Sequence, residues 1–142
     1  MPADYISEKL RKQIIKRAHG YCEYCRCPDS VTNSPFSLDH IIPQSKGGKT
    51  ALRNLAYACQ GCNGKKHNKL TAFDSFTHKR VALFHPRKQN WADHFGWSED
   101  FTLVLGLTPT GRATIETLGL NRTGVVNLRE ILRDSNQHPP ED

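Results

Sequence analysis

Cys22-Glu23-Tyr24-Cys25, then Asp39-His40-Ile41-Ile42-Pro43, then Cys59-Gln60-Gly61-Cys62-Asn63 are the stretches on which the reading of this chain turns. Two Cys-x-x-Cys pairs bring four thiolates within reach of one tetrahedral cation, and zinc suits that donor set. Asp39, His40 and Asn63 are of another kind. Carboxylate and amide oxygens suit a hard divalent cation, and imidazole suits proton transfer near neutral pH. The pairs are separated by 33 residues, 26–58, more than a simple zinc ribbon has, and the Asp-His dipeptide lies inside that insertion. Zinc held by Cys22, Cys25, Cys59 and Cys62 would tie the first knuckle to the start of the helix carrying Asn63. That would fix the Asp39-His40 strand against it. The alternative is four unpaired core cysteines. Cys27 is left over as a bystander, because the spacing of the second pair favours Cys22 and Cys25.

Local patterns place these residues on elements. Ser7 can cap a helix whose apolar positions Leu10, Ile14, Ile15 and Ala18 recur at helical spacing before Gly20 ends it. Its other face carries Lys9, Arg11, Lys12, Lys16 and Arg17, which is either a solvated face or a contact for a nucleic-acid backbone. Pro28 to Pro35 reads as a polar loop, Phe36 to Ile42 as a strand, and Pro43-Gln44-Ser45-Lys46-Gly47-Gly48-Lys49 as a basic turn suited to lie near a phosphate. A helix is predicted from Gln60 to Leu70. On it Asn63 and His67 are four residues apart, so their side chains share a face and can converge on one ion.

Charge is distributed unevenly. Up to residue 90 there are sixteen Lys and Arg against six Asp and Glu; beyond it there are four against eight. The basic part predicts salt-sensitive binding to a polyanion. No apolar stretch follows Met1-Pro2-Ala3-Asp4 and no apolar run is long enough to cross a bilayer, which argues against a signal peptide or a membrane partner. A cytoplasmic address is expected, and a reducing compartment favours metal-bound thiolates over disulfides. Nothing in the pattern points to a small-molecule substrate.

The run Cys22…Cys25…Asp39-His40-Ile41-Ile42-Pro43…Gly47-Gly48…Asn54-Leu55…Cys59…Cys62-Asn63…Lys66 resembles the HNH endonuclease family over about residues 20–70. That resemblance implies an α+β fold with a ββα-metal core, in which a hairpin carries the first His and a helix the last metal ligand. It implies hydrolysis of DNA phosphodiesters with a divalent cation, commonly magnesium, besides the structural zinc. By the same resemblance His40 is the general base, Asp39 and Asn63 hold the catalytic cation, and Asn54 braces the hairpin loop. Some family members carry a metal-binding His at the position of His67. Lys46, Lys49, Arg53, Lys65, Lys66 and Lys69 can then position the phosphate backbone, with Lys66 matching the family pattern best. A zinc-stabilised DNA-binding module without activity is the competing reading, and a protein-interaction scaffold a third.

The remaining segments carry less chemistry. His19, His78, His85, His94 and His138 lack partners at ligand spacing. Trp91, Phe95 and Trp97 read as core anchors in preference to a base-stacking surface. Phe101 to Leu107 reads as a strand, Thr108-Pro109 opens a helix toward Leu118 that Gly119 ends, a second helix begins near Asn121, and Gln137 to Pro140 reads as a loose tail. The expected organisation is a nuclease domain with the zinc site over 1–90, its N-terminal helix included, with 91–142 as a strand-plus-helices extension packing on it.

Overall fold

The computed structural model describes residues 6–141; the stretch Met1–Asp4 considered above lies outside them. Helix α1 (Glu8–Ala18) begins where Ser7 Oγ accepts the Leu10 N–H at 3.1 Å. It ends one residue earlier than Gly20 suggests, because His19 itself takes the left-handed cap (φ 55). Ile14 and Ala18 are its buried residues.

Strands β1 (Ser37–His40) and β2 (Leu55–Ala58) form an antiparallel hairpin in which Asp39 faces Ala56 and His40 faces Leu55. β1 is shorter than the expected Phe36–Ile42. After His40 the backbone leaves the ladder, since Ile41 N–H bonds the Asn54 carbonyl and Ile42 N–H bonds the Asn54 side chain. β2 is buried along its whole length and packs beneath α1.

Helix α2 (Gln60–Lys66) follows directly, its N-cap being Cys59. It stops well short of Leu70. His67 takes φ 49 and ψ −118, turning the chain into β3 (Thr71–Asp74). The argument that placed His67 on the Asn63 face of a continuous helix therefore does not hold, because the helix ends before His67. β3 pairs with β4 (Lys79–Ala82) in a second hairpin that the sequence reading did not anticipate. Its polarity is inverted: Asp74 is buried, whereas Phe73 and Phe76 face outward.

A short helix α3 (Trp91–His94) leads into β5 (Phe95–Trp97), which pairs with β6 (Val104–Gly106). The aromatic run is a core anchor, with Phe95 buried and stacked against Trp91 and Phe84. β6 starts later than Phe101 because the Asp100 carboxylate takes the Thr102 N–H and hydroxyl and holds a turn there. Thr108 caps α4 (Pro109–Leu118) through the Gly111 N–H, and Gly119 (φ +63) ends it. α5 (Thr123–Asp134) begins after Asn121, whose side chain is committed to the Val104 N–H and carbonyl. The tail is docked where a loose one was expected: His138 is buried, Nε2 lies 2.8 Å from the Phe101 carbonyl, and the ring packs edge-on to Trp97. The whole is a mixed α+β fold of five helices and three two-stranded antiparallel sheets among the described residues. No described helix is long and apolar enough to cross a membrane.

Candidate nuclease and metal site

The four sulfurs of Cys22, Cys25, Cys59 and Cys62 lie within 4.8 Å of one another, all buried. Tetrahedral zinc with bonds of about 2.3 Å separates its sulfurs by about 3.8 Å, and Cys25 Sγ stands 3.7 Å from Cys59 Sγ. The donor set fits zinc. Each knuckle also directs a backbone N–H at a sulfur: Cys25 N to Cys22 Sγ at 3.4 Å, Cys62 N to Cys59 Sγ at 3.5 Å. Burial pushes the Cys22 thiol well above its ordinary range, while hydrogen bonds from Cys22, Cys25 and Cys62 pull Cys59 below it. Cys27, outside the quartet, donates its thiol to the Pro28 carbonyl.

The Arg122 guanidinium, from the turn between α4 and α5, reaches the same sulfurs: Nη2 is 3.2 Å from Cys59 Sγ and Nη1 3.6 Å from Cys62 Sγ. Burial works against its charge, but the Cys62, Cys25 and Cys59 sulfurs outweigh that and hold it firmly protonated. A Cβ on Gly61 would press on the guanidinium, so a side chain there would have to displace it from this position. Buried Arg129 on α5 ties the first knuckle to the same side by donating to the Cys25, Leu120 and Thr102 carbonyls.

From the four cysteines the two knuckles lead into the hairpin and α2. Asp39 is buried, its Oδ2 accepting the Tyr24 hydroxyl at 2.8 Å. Lys66, on α2, is turned inward: Nζ is 3.2 Å from Asp39 Oδ2, 3.4 Å from Oδ1, and donates to the His40 and Ile41 carbonyls. Burial raises the Asp39 carboxyl above its ordinary value, against the opposing pull of the Lys66 charge and the Tyr24 hydroxyl. His40 Nε2 lies 2.8 Å from Thr50 Oγ1, which also receives a long bond from Gln44. Asn54 is the brace of the loop: Oδ1 accepts Ile42 N–H, and Nδ2 donates to the Ile42 and Lys49 carbonyls. The loop closes so tightly that a Cβ on Gly48 would lie 1.7 Å from the Ile42 oxygen.

Residues 22–69 match the family model described as HNH endonuclease. This segment is an HNH domain. A stretch of 59 residues, 41% of this chain, is 39% identical to the CRISPR-associated endonuclease Cas9 of Corynebacterium diphtheriae. It spans only 5% of that protein's length. No solved structure matches.

Within and beside the HNH segment the other expected residues fall at different depths. The Asn63 amide is half-buried on the first turn of α2 and makes no hydrogen bond among the described residues. His67 is exposed at the helix end. Asp39, His40 and His67 do not converge as a three-donor group among the described residues. Of the residues expected to hold a catalytic divalent cation, Asp39 keeps one oxygen, Oδ1, with only the long Lys66 contact, and the Asn63 side chain makes no hydrogen bond among the described residues. Lys46, Lys49, Arg53, Lys65 and Lys69 are exposed. Lys66 is a correction: at 1% exposure it cannot present its ammonium at the surface.

Sequence reasoning missed Tyr24, Thr50 and Arg122. Tyr24 lay in plain view between the first two cysteines, but nothing in a knuckle sequence says where its hydroxyl points. Thr50 closes the glycine turn, ten residues from the histidine it touches. Arg122 is 60 residues from its nearer sulfur partner in the chain, with no spacing to signal it.

Proposed function

We propose that this chain is a metal-dependent endonuclease that hydrolyses DNA phosphodiester bonds, with His40 as general base. The observation that carries it is the His40 ring, half-buried beside Asp39 and anchored at Nε2 by the Thr50 hydroxyl. With Thr50 accepting from Nε2–H, Nδ1 keeps its lone pair and can take a proton from the attacking water. Asp39 and Asn63 hold a divalent cation, magnesium or another hard ion, which when bound offsets charge developing on the scissile phosphate. His67, at the exposed end of α2, is not required in this arrangement. Lys46, Lys49, Arg53, Lys65 and Lys69 orient the backbone without reading bases. Residues 1–90 form the nuclease unit and 91–142 an extension that supports its zinc, and free thiols arranged for a metal suit a reducing, cytoplasmic setting.

One observation favours the second reading, a DNA-binding module without activity: the Lys66 ammonium already supplies positive charge at Asp39. Incubation of supercoiled plasmid with the protein, with and without magnesium or manganese, beside the His40→Ala variant separates the two. Metal-dependent nicking or linearisation that disappears in the variant is the expected result. Retention of DNA without cleavage in any metal would leave the binding module.

A further inference from the structure

The β3–β4 hairpin presents its aromatic side chains outward and its carboxylate inward: Phe73 and Phe76 are 49% and 77% exposed, Asp74 1%. Asp74 is what fixes the tip. Its Oδ2 accepts the Thr77 N–H at 3.1 Å and the Thr77 hydroxyl at 2.6 Å, and Arg112 from α4 holds both of its oxygens. The same guanidinium lies against the Phe76 ring, its Cζ 4.8 Å from the centroid. One face of the ring is thus held from within the fold, while its exposure leaves the other open. Phe73, on the outer face, has the His78 ring 6.1 Å away and Arg80 as its cross-strand neighbour. Arg80 is steadied by Nη1 donating to Thr71 Oγ1 at 3.2 Å. Neither Arg80 nor Lys79, both exposed, makes an ion pair among the described residues. Asp74 is the only acidic residue of 71–82, and Arg112 already neutralises it.

An exposed ring held rigid beside uncompensated cations suits a nucleic acid, whose bases stack on aromatic faces while its phosphates meet the charges. A protein partner fits less well, because the buried centre of a protein interface is depleted of charged residues such as lysine. The position of the hairpin agrees. Thr71 and Ala82 at its foot line a cavity of about 400 Å³ together with Lys69, Ile41 and Ile42, and the last two directly follow His40. From Thr71 to Asp74 is three strand steps, about 10 Å, or about three nucleotides at the spacing of stacked bases. We propose that the tip of this hairpin stacks an unpaired base of the bound strand on the open face of Phe76, a few nucleotides from the bond to be cut, while Lys79 and Arg80 meet its backbone. This rests on the nuclease reading for the strand that is cut, while the stacking and the charge stand on the hairpin itself.

Phe76→Ala and Phe76→Leu remove the ring at an exposed site, the second keeping apolar bulk, and Lys79→Gln combined with Arg80→Gln removes the charges. Zinc-loaded protein is titrated with a labelled single-stranded oligonucleotide, and with the same sequence as a duplex, at several salt concentrations and without added divalent cation. Both Phe76 variants should keep wild-type zinc content and a melting temperature close to wild type. They should lose about tenfold in affinity for the single strand, the size of one base–aromatic stack, and less for the duplex. Phe76→Trp should bind at least as well as wild type. The combined charge variant should lower the slope of log affinity against log salt for the single strand by at least about 0.7, the value of one phosphate contact. Equal losses on both DNAs would overturn the unpaired base, and full affinity in Phe76→Leu would overturn the stack. A wild type that does not bind the single strand, or unchanged affinity and slope in every variant, would overturn the site. Self-association of wild type in sedimentation that Phe76→Ala abolishes, with DNA affinity unchanged, would assign the hairpin to a second copy of this chain and overturn it too. Plasmid cleavage reports on the nuclease separately: cutting with unaltered DNA binding in all variants sinks only the hairpin, and hairpin-dependent binding without cutting in any metal sinks only the nuclease.

Discussion

The Lys66 ammonium lies 3.2 Å from the Asp39 carboxylate, with 2% and 4% of the two side chains exposed. Removing one member of a buried pair strands the other charge, at a cost of about 3–5 kcal/mol. Lys66→Met should therefore move the urea unfolding midpoint sharply down at constant slope. Adding Asp39→Asn should recover much of the loss, because the stranded charge is gone and Tyr24 still has an oxygen to bond. Equal instability of the single and double variants would mean that packing of the lysine stem, not its charge, is what the site needs.

In the proposed mechanism the Thr50 hydroxyl accepts from Nε2–H of His40. A proton held there leaves Nδ1 free to accept one. Thr50→Val keeps the shape and removes the partner, a loss of about 1 kcal/mol for one hydrogen bond. Cleavage turnover should fall about five- to tenfold, with zinc content, melting temperature and duplex affinity unchanged. A variant with weakened duplex affinity and normal turnover at saturation would instead make Thr50 a binding residue.

What could be read from the chain divides along the range of the interactions involved. α1 and α4 were legible because their caps, Ser7 and Thr108, lie within three residues of the N–H groups they satisfy. The zinc quartet was legible because two local knuckles announce it. The β3–β4 hairpin was not: Asp74 points inward to Arg112 while Phe73 and Phe76 point outward, which inverts the alternation that reveals a half-buried strand. Lys66 was placed at the surface because lysine normally is; only the convergence of a carboxylate and two carbonyls beneath the hairpin explains its burial. Arg122 depends on how α4 packs against α2, which no local pattern encodes.

Arg122 should govern how firmly the zinc is held. A four-thiolate site carries net negative charge, and hydrogen bonds from Arg122 to Cys59 and Cys62 spread part of it. Reduced wild-type protein is expected to contain one zinc, and a strong chelator should lower its melting temperature as the staple is withdrawn. Arg122→Met should weaken zinc affinity about tenfold or more, the range for loss of an outer partner. Release followed with a zinc-sensitive dye would check this, with Arg122→Lys as an intermediate case that keeps charge but not both bonds. Identical release from wild type and Arg122→Met would reduce the contact to packing.

Acid should unfold the chain partly through Asp74. Its carboxylate takes both Arg112 Nε and Nη2 at 3.1 Å and the Thr77 hydroxyl and N–H. The Arg112 bonds first, and then those of Thr77, hold the carboxyl well below the usual carboxylate range. An aspartate in the unfolded chain titrates near about 3.9. Above that value both states are ionised and the pairing contributes in full. As pH falls below it, the unfolded chain takes up a proton that the folded one still refuses, and stability declines until Asp74 itself protonates in the fold. Asp100, drawn down to about 2 by the Thr102 N–H and then by the Ser98 and Thr102 hydroxyls, acts over the same interval and in the same direction. Asp74→Asn should thus be less stable than wild type at neutral pH yet lose less of what remains between about pH 4 and 2. Denaturant midpoints measured across that interval would show it as converging curves. Parallel curves would assign the acid sensitivity to other carboxylates.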